Sequence, residues 1–108
     1  MSTERFQAFF ITCPNASVAE ALAERLVTER QAACVNVIRE LTSFYLWEGK
    51  LHRDTEVLLM GKTTAGHQAG IEAALKALHP YQVPELIFVP IEAGLEPYLN
   101  FISAGTRP

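Results

Sequence analysis

The sequence is poor in cysteine and in charge. Its 108 residues include two cysteines, Cys13 and Cys34, and 19% of the residues are charged. Two cysteines cannot build the disulfide scaffold on which small secreted domains depend. The net charge is −3 and no long run of like charges occurs, so we expect no nucleic acid as a partner. CxxC, HExxH, Walker and Gly-rich phosphate-binding motifs are also absent.

Long hydrophobic runs are absent as well. The apolar stretch Phe6–Cys13 includes Gln7 and Thr12 and is far too short to span a membrane. The segment Met1–Arg5 before it has neither a basic leader nor a cleavage pattern. We therefore expect a cytoplasmic protein that does not insert into membranes.

Hydrophobic residues, in contrast, are abundant, at 49% of the chain. We predict a single domain over residues 1–108, because a chain of this length forms one domain. Such a domain buries roughly 65% of the surface that its unfolded chain exposes. The high apolar content indicates either an unusually dry core or surface that is hidden against partners.

The first half of the chain contains a strand and a helix. The strand is Phe6–Cys13, and Pro14 and Asn15 end it. Apolar residues then recur every four positions, which predicts an amphipathic helix running to about Arg30. The capping-box pattern Ser17–Glu20 predicts where this helix begins.

The rest of the chain contains a hairpin, a second helix, a last strand and a closing helix. We predict a hairpin made of a strand that is broken near Arg39 and Glu40, a turn and a return strand. A helix follows, capped by Thr63 or Thr64 and stopped at His79-Pro80. A short strand and a short helix end the chain. Pro90 suggests that the last strand ends at a sheet edge or a bulge. The segments in order are Cys34–Ile38 with Thr42–Trp47, the turn Glu48–Lys50, a return strand that begins at Leu51 and reads Asp54–Thr63, a helix with the apolar face Ile71, Ala74, Leu75 and Leu78, then Glu85–Val89 and Pro97–Ile102.

This β-α-β-β-α-β order is typical of the ferredoxin-like arrangement, an α+β fold with a four-stranded antiparallel sheet. Both main helices cover one face of the sheet, and the other face is expected to be polar. The strand Thr42–Trp47 is instead apolar on both faces, because Phe44 and Leu46 alternate with Tyr45 and Trp47. The short C-terminal helix could cover part of this surface but not four strands. We therefore predict a homo-oligomer.

The topology also brings three chemically active residues to one rim of the sheet. Cys13 ends the first strand, His79 ends the second helix and Glu85 begins the last strand, and all three positions lie at the same end. A thiolate, an imidazole and a carboxylate together suit copper or zinc. We predict a metal site formed by Cys13 and His79, with Glu85 as a weaker third candidate.

Each of these residues also has a structural interpretation. Cys13 on a Phe-rich strand can be a small buried hydrophobe, and His79 can complement the dipole at a helix C-terminus. Glu85 can accept hydrogen bonds from the backbone or from Tyr81. Cys34 begins the second strand at the opposite rim, roughly 25 Å away, so Cys13 and Cys34 cannot form a disulfide within one subunit.

A Cys–His pair is also the minimum for nucleophilic catalysis. The sequence offers no third orienting residue and no oxyanion donor for Cys13 and His79. We therefore expect no enzymatic activity. A catalytic Cys13 would require a depressed thiol pKa.

Two motifs carry a resemblance that covers nearly the whole chain. One is Tyr-x-Trp-x-Gly at Tyr45–Gly49, and the other is His-Pro-Tyr-x-x-Pro-Glu at His79–Glu85. Together they resemble the CutA family of divalent-cation tolerance proteins. The resemblance implies a ferredoxin-like subunit in a PII-like homotrimer whose long hairpins pair across subunits. It further implies divalent-cation (copper) binding, a link to copper tolerance and no established catalysis.

The resemblance also implies roles for single residues. Cys13 matches the copper-site cysteine of the family, and His79 matches its site histidine. Some members carry a second histidine where this chain has Leu78, which cannot bind a metal. Phe44, Tyr45 and Trp47 become expected trimer-interface residues. The alternative is a PII-like signalling or scaffold trimer that binds a small anionic ligand or a partner loop in clefts between subunits.

Overall fold

The computed structural model describes residues 4–108. They fold into a four-stranded antiparallel sheet packed with helices. The first three residues of the predicted domain 1–108 lie outside the described residues. The elements in chain order are β1 Phe6–Cys13, α1 Ala16–Thr28, β2 Cys34–Trp47, β3 Lys50–Thr64, a 3-10 turn Ala65–His67, α2 Gln68–Leu78, β4 Ile87–Pro90 and α3 Glu96–Gly105.

The strands lie in the order β2-β3-β1-β4, and every neighbouring pair is antiparallel. With the element order β-α-β-β-α-β, this strand order confirms the predicted ferredoxin-like α+β fold. The core lies between the sheet and the first two helices. Its fully buried members include Phe9, Ile11 and Cys13 of β1, Leu22 and Leu26 of α1, Leu59 of β3 and Ile71 of α2.

Helix α1 begins one residue before the predicted capping box. Asn15 is extended and caps the helix, because its Oδ1 accepts a hydrogen bond from the Val18 backbone N–H at 2.9 Å. The prediction that Ser17–Glu20 caps the helix is therefore wrong. The helix ends at Thr28, and Arg30 adopts a φ of 58°, which no helix can continue.

The prediction that Thr63 or Thr64 caps the second helix is also wrong. Thr63 still belongs to β3, and its hydroxyl donates to the Gln31 carbonyl at 2.6 Å. Thr64 precedes the 3-10 turn without making a side-chain cap. Helix α2 then starts at Gln68 and ends at Leu78, the residue before the predicted His79-Pro80 stop.

The hairpin of β2 and β3 is more continuous than predicted. Its pairing runs to Trp47 and Lys50, so β3 begins one residue before the predicted Leu51. The predicted break is a β-bulge, with a register shift between Ile38 and Leu41. The turn residues Glu48 and Gly49 both have positive φ, 51° and 79°, as tight two-residue hairpin turns require.

The end of the chain differs from its predicted bounds. The last strand, Ile87–Pro90, is shorter than Glu85–Val89, so Glu85 lies in the loop before it. β4 is an edge strand, as Pro90 indicated. Helix α3 contacts β3, and its Tyr98 hydroxyl lies 3.3 Å from Cys34 Sγ. The hairpin remains uncovered, because Phe44, Leu46 and Leu51 are 64%, 72% and 71% exposed.

Candidate functional site

A cavity of about 660 Å³ lies where the hairpin, the end of β1 and the loop after α2 meet. The hairpin supplies most of the aromatic wall. The loop residues 80–85 close the other side. The lining residues include Thr12, Phe44, Tyr45, Trp47, His52, Glu56, Tyr81 and Glu85.

Two pairs of phenols and carboxylates organise this cavity. Glu56 is 5% exposed, and its Oε2 accepts a hydrogen bond from the Tyr81 hydroxyl at 2.8 Å. The Tyr45 hydroxyl donates to Asp54 at 2.5 Å. Burial and the hydrogen bond to Glu56 raise the pKa of Tyr81, and the hydrogen bond to Asp54 raises the pKa of Tyr45. Both phenols therefore stay protonated donors at neutral pH.

The charge of the cavity is acidic. Partial burial raises the pKa of Glu85, and the neighbouring Glu56 raises it further. His52 stacks on Tyr45 with the ring centroids 5.1 Å apart. Within residues 4–108, no Lys or Arg lines the cavity. The guanidinium of Arg53 lies 5.6 Å from the centre of the Phe44 ring, which is one of the lining rings.

Cys13 lies beside the cavity but inside the core. It is fully buried and pairs with Val57 across the sheet. Burial raises its pKa to about 11, and Glu56 contributes to the rise. The shift is opposite to the depressed thiol pKa that a nucleophilic Cys13 requires. The Cys13 side chain therefore packs as a small buried hydrophobe, which was its structural interpretation from the sequence. Cys34 is also a free thiol.

His79 caps α2 at its C-terminus and is 8% exposed. Its Nε2 lies 2.8 Å from the Thr12 carbonyl oxygen, and its Nδ1 accepts the Tyr81 backbone N–H at 3.2 Å. Because a carbonyl can only accept, we assign the ring proton to Nε2. Both nitrogens of the neutral ring are thus engaged. The structure brings His79 to the residue that precedes Cys13, at the rim that the topology indicated.

The acidic and soft ligands do not form a metal cluster in the described part of the chain. Within residues 4–108, no group of three or more His, Cys, Asp or Glu side chains could hold a metal ion. Metal binding by Cys13, His79 and Glu85 stays a prediction.

Sequence reasoning missed Glu56 and Asp54 as members of the site. A usable signal was present, because Glu56 directly precedes the apolar run Val57–Met60. A charged side chain on such a strand is rarely buried unless a partner is available to it. The partner, Tyr81, lies 25 residues further along the chain and could not be identified from spacing.

No helix within residues 4–108 has the length and apolar character needed to cross a membrane. The fold and the site together define a class: a ferredoxin-like α+β protein with a projecting, uncovered hairpin and an acidic, aromatic cavity. The family model described as CutA1 divalent ion tolerance protein matches residues 7–105, so the chain belongs to this family. This match confirms the resemblance carried by the two sequence motifs.

Relatives support the same assignment. A protein CutA homolog from Xenopus laevis is 48% identical over 95 residues, 88% of this chain and 63% of the relative. A divalent-cation tolerance protein CutA from Thermus thermophilus is 43% identical over 100 residues, 93% of this chain and 97% of the relative. The chain spans between 56% and 63% of the length of the vertebrate relatives it matches.

Solved structures agree with the fold. The structure of the divalent cation tolerance protein Cut A1 from Thermus thermophilus superimposes with a TM-score of 0.92 and 42% identity, covering 94% of this chain and 99% of that chain. A periplasmic divalent cation tolerance protein CutA from Archaeoglobus fulgidus gives a TM-score of 0.91 and 35% identity, covering 94% and 99%.

Proposed function

We propose that this chain is a homotrimeric, copper-binding protein that acts in tolerance to divalent metal ions. The observation that carries the proposal is the match of residues 7–105 to the CutA1 divalent ion tolerance family. We further propose that it is not an enzyme and that it works in the cytoplasm. The relative from Archaeoglobus fulgidus is described as periplasmic, so cell fractionation of a tagged chain tests the location.

The homotrimer is supported by the uncovered hairpin. Phe44 is 64% exposed, and Tyr45 and Trp47 are about two-fifths exposed at 39% and 41%. An apolar surface of this kind in a lone subunit favours association. We assign Phe44, Tyr45 and Trp47 to the interface between subunits.

The proposed copper ligands are Cys13 and His79, with Glu85 as a weaker third. Binding requires the Cys13 thiol to lose its proton against a pKa of about 11. It also requires His79 Nδ1 to release the Tyr81 N–H. Since metal displaces a proton, the affinity should increase as the pH rises.

Calorimetric titration with Cu(II), Cu(I) and Zn(II) tests this site. The variant carrying Cys13→Ala and His79→Ala should lose binding, whereas the matched control carrying Cys34→Ala and His67→Ala should retain it. Thermal unfolding of both variants checks that they fold. Unchanged copper binding in the first variant would remove Cys13 and His79 as the site.

A PII-like ligand-binding function is the second candidate, and the 660 Å³ cavity favours it. A cavity of this size lies within the range, about 300–1,000 Å³, that small-molecule sites occupy. Its carboxylates disfavour the anionic ligand that the PII-like alternative suggested. A thermal-shift screen with metabolites of both charge signs tests this function, and a screen without any stabilising compound would reject it.

A further inference from the structure

The loop between α2 and β4, residues 80–85, is held to the rest of the fold by one side chain. Within the described part of the chain, no backbone–backbone hydrogen bond involves this loop, and its other hydrogen bonds all come from Tyr81. The Tyr81 backbone N–H donates to His79 Nδ1 at 3.2 Å, and its hydroxyl donates to Glu56 at 2.8 Å. A segment with so few bonds belongs to the part of a protein that opens locally.

This loop separates two cavities. Tyr81 and Gln82 line the cavity beside the hairpin and also a second cavity, of about 600 Å³, that lies between α2 and β4. The described lining of the second cavity includes Leu75 of α2 and Phe88 of β4, and none of the three residues assigned to the subunit interface. The loop therefore has space on the side away from the hairpin. A movement in that direction leaves the proposed interface in place.

His79 lines the second cavity, but both of its ring nitrogens are occupied. Nε2 donates to the Thr12 carbonyl, and Nδ1 accepts the Tyr81 N–H. Freeing Nδ1 while the Thr12 bond is kept requires the Tyr81 backbone to move away. The hydroxyl of Tyr81 resists this movement, because its bond to the Glu56 carboxylate is charge-assisted and therefore stronger than a neutral hydrogen bond. That bond thus controls how often Nδ1 is free.

We propose that residues 80–85 form a strap that opens towards the cavity between α2 and β4, and that Tyr81 is the latch whose bond to Glu56 holds the strap over His79 Nδ1. The proposal rests on the proposed metal-binding function, in which His79 is a ligand, and adds the regulation of access to that ligand. Opening of the strap frees Nδ1, and closure returns it to the Tyr81 N–H.

Hydrogen exchange of the backbone amide at position 81, measured by NMR on the full, assembled protein, tests the latch without any metal. Tyr81→Phe removes the hydroxyl but keeps the ring and the backbone N–H. Exchange at this amide should become about tenfold faster or more, because the strap loses its charge-assisted hydrogen bond. Exchange within α1 should stay the same, which distinguishes opening of the strap from a general loss of stability. Equal exchange rates at position 81 in the parent and the variant would overturn the proposal.

Tyr98→Phe is the matched control. It also removes a phenol hydroxyl that takes part in a hydrogen bond, in this case with Cys34 Sγ at the start of β2. Exchange of the Tyr81 amide should be unchanged in this control. An increase as large as that in Tyr81→Phe would mean that the effect is not specific to the strap, and the latch would be wrong.

The rate of Cu(II) binding tests whether the strap controls access. Stopped-flow quenching of the fluorescence of Trp47, the single tryptophan of the chain, follows the binding. The association rate should rise in Tyr81→Phe by about the same factor as the exchange rate at position 81. Faster exchange with an unchanged association rate would overturn control of access. If the parent binds no Cu(II), the copper function and the control of access both fail, and exchange at position 81 still decides whether Tyr81 is a latch.

Discussion

His79 joins the end of β1 to the loop after α2 through its two ring nitrogens. It bonds the Thr12 carbonyl and the Tyr81 N–H, and its ring meets the Tyr81 ring edge-on at 4.7 Å. Tyr81 in turn donates to Glu56. At the residue scale, one buried histidine therefore positions the phenol that orients the cavity carboxylate.

His79→Leu should lower the free energy of unfolding by about 1–3 kcal/mol, because two buried hydrogen-bonding groups lose their partner. Urea denaturation measures the change. Gln82→Ala in the same loop changes an exposed side chain and should stay within about 0.5 kcal/mol of the parent. Equal stability of the parent and the His79 variant would show that these hydrogen bonds contribute nothing net.

Cys13 should make the protein less stable at alkaline pH. Its folded pKa, about 11, lies above the ordinary 9.0, so the unfolded chain loses this proton first. The contribution of the Cys13 thiol to the free energy of unfolding is fully present below pH 9.0 and is lost as the pH rises towards 11. The full effect is about 3 kcal/mol for a shift of this size.

Denaturant unfolding at several pH values tests the Cys13 effect. Cys13→Ala should reduce the loss of stability over this pH window. Tyr81 and Tyr98, whose pKa values are also raised, should still destabilise the variant at higher pH. Parallel pH profiles for the parent and Cys13→Ala would contradict the assignment.

At the element scale, helix ends and strand breaks were the least predictable features. The period-four pattern of Val18, Leu22 and Leu26 correctly gave helix α1. Leu22 and Leu26 are buried together with Ala19, whereas Val18 is partly buried. The capping pattern failed because Asn15, two residues earlier, already satisfies the Val18 N–H. Several residues near a helix start can cap it, and the conformation of the incoming chain selects between them.

Asn15→Ala should therefore destabilise the protein by about 1 kcal/mol through the loss of this cap. Ser17→Ala is the matched control, because Ser17 is exposed and makes no cap, and it should be close to neutral. Thermal unfolding of the two variants separates these roles. A larger loss of stability in Ser17→Ala than in Asn15→Ala would show that Ser17, and not Asn15, caps helix α1.

At the scale of the whole molecule, the hairpin dominates. The chain measures 50 × 25 × 22 Å, and its core lies between the sheet and helices α1 and α2. The far part of β2 and β3 lacks that cover, and its apolar residues are exposed. A single subunit thus leaves an apolar extension that an assembly would bury.

Phe44→Glu should convert the proposed homotrimer to smaller species, since a charge cannot be buried in the interface without a partner. Light scattering should give three times the mass of one chain for the parent and less for the variant. Val27→Glu on α1 is the control, an apolar residue that is 41% exposed and far from the hairpin in the sequence. A monomeric parent would overturn the trimer proposal.

The sequence by itself determined the order of elements, the ferredoxin-like fold, the family and the uncovered hairpin. These follow from periodicity and from local motifs, which act within a few residues. Only the tertiary structure decided that His79 bonds Thr12, 67 residues away, and that Glu56 meets Tyr81. Such pairings depend on how closely distant segments approach and on which polar groups remain unsatisfied when they are buried, and neither follows from local pattern.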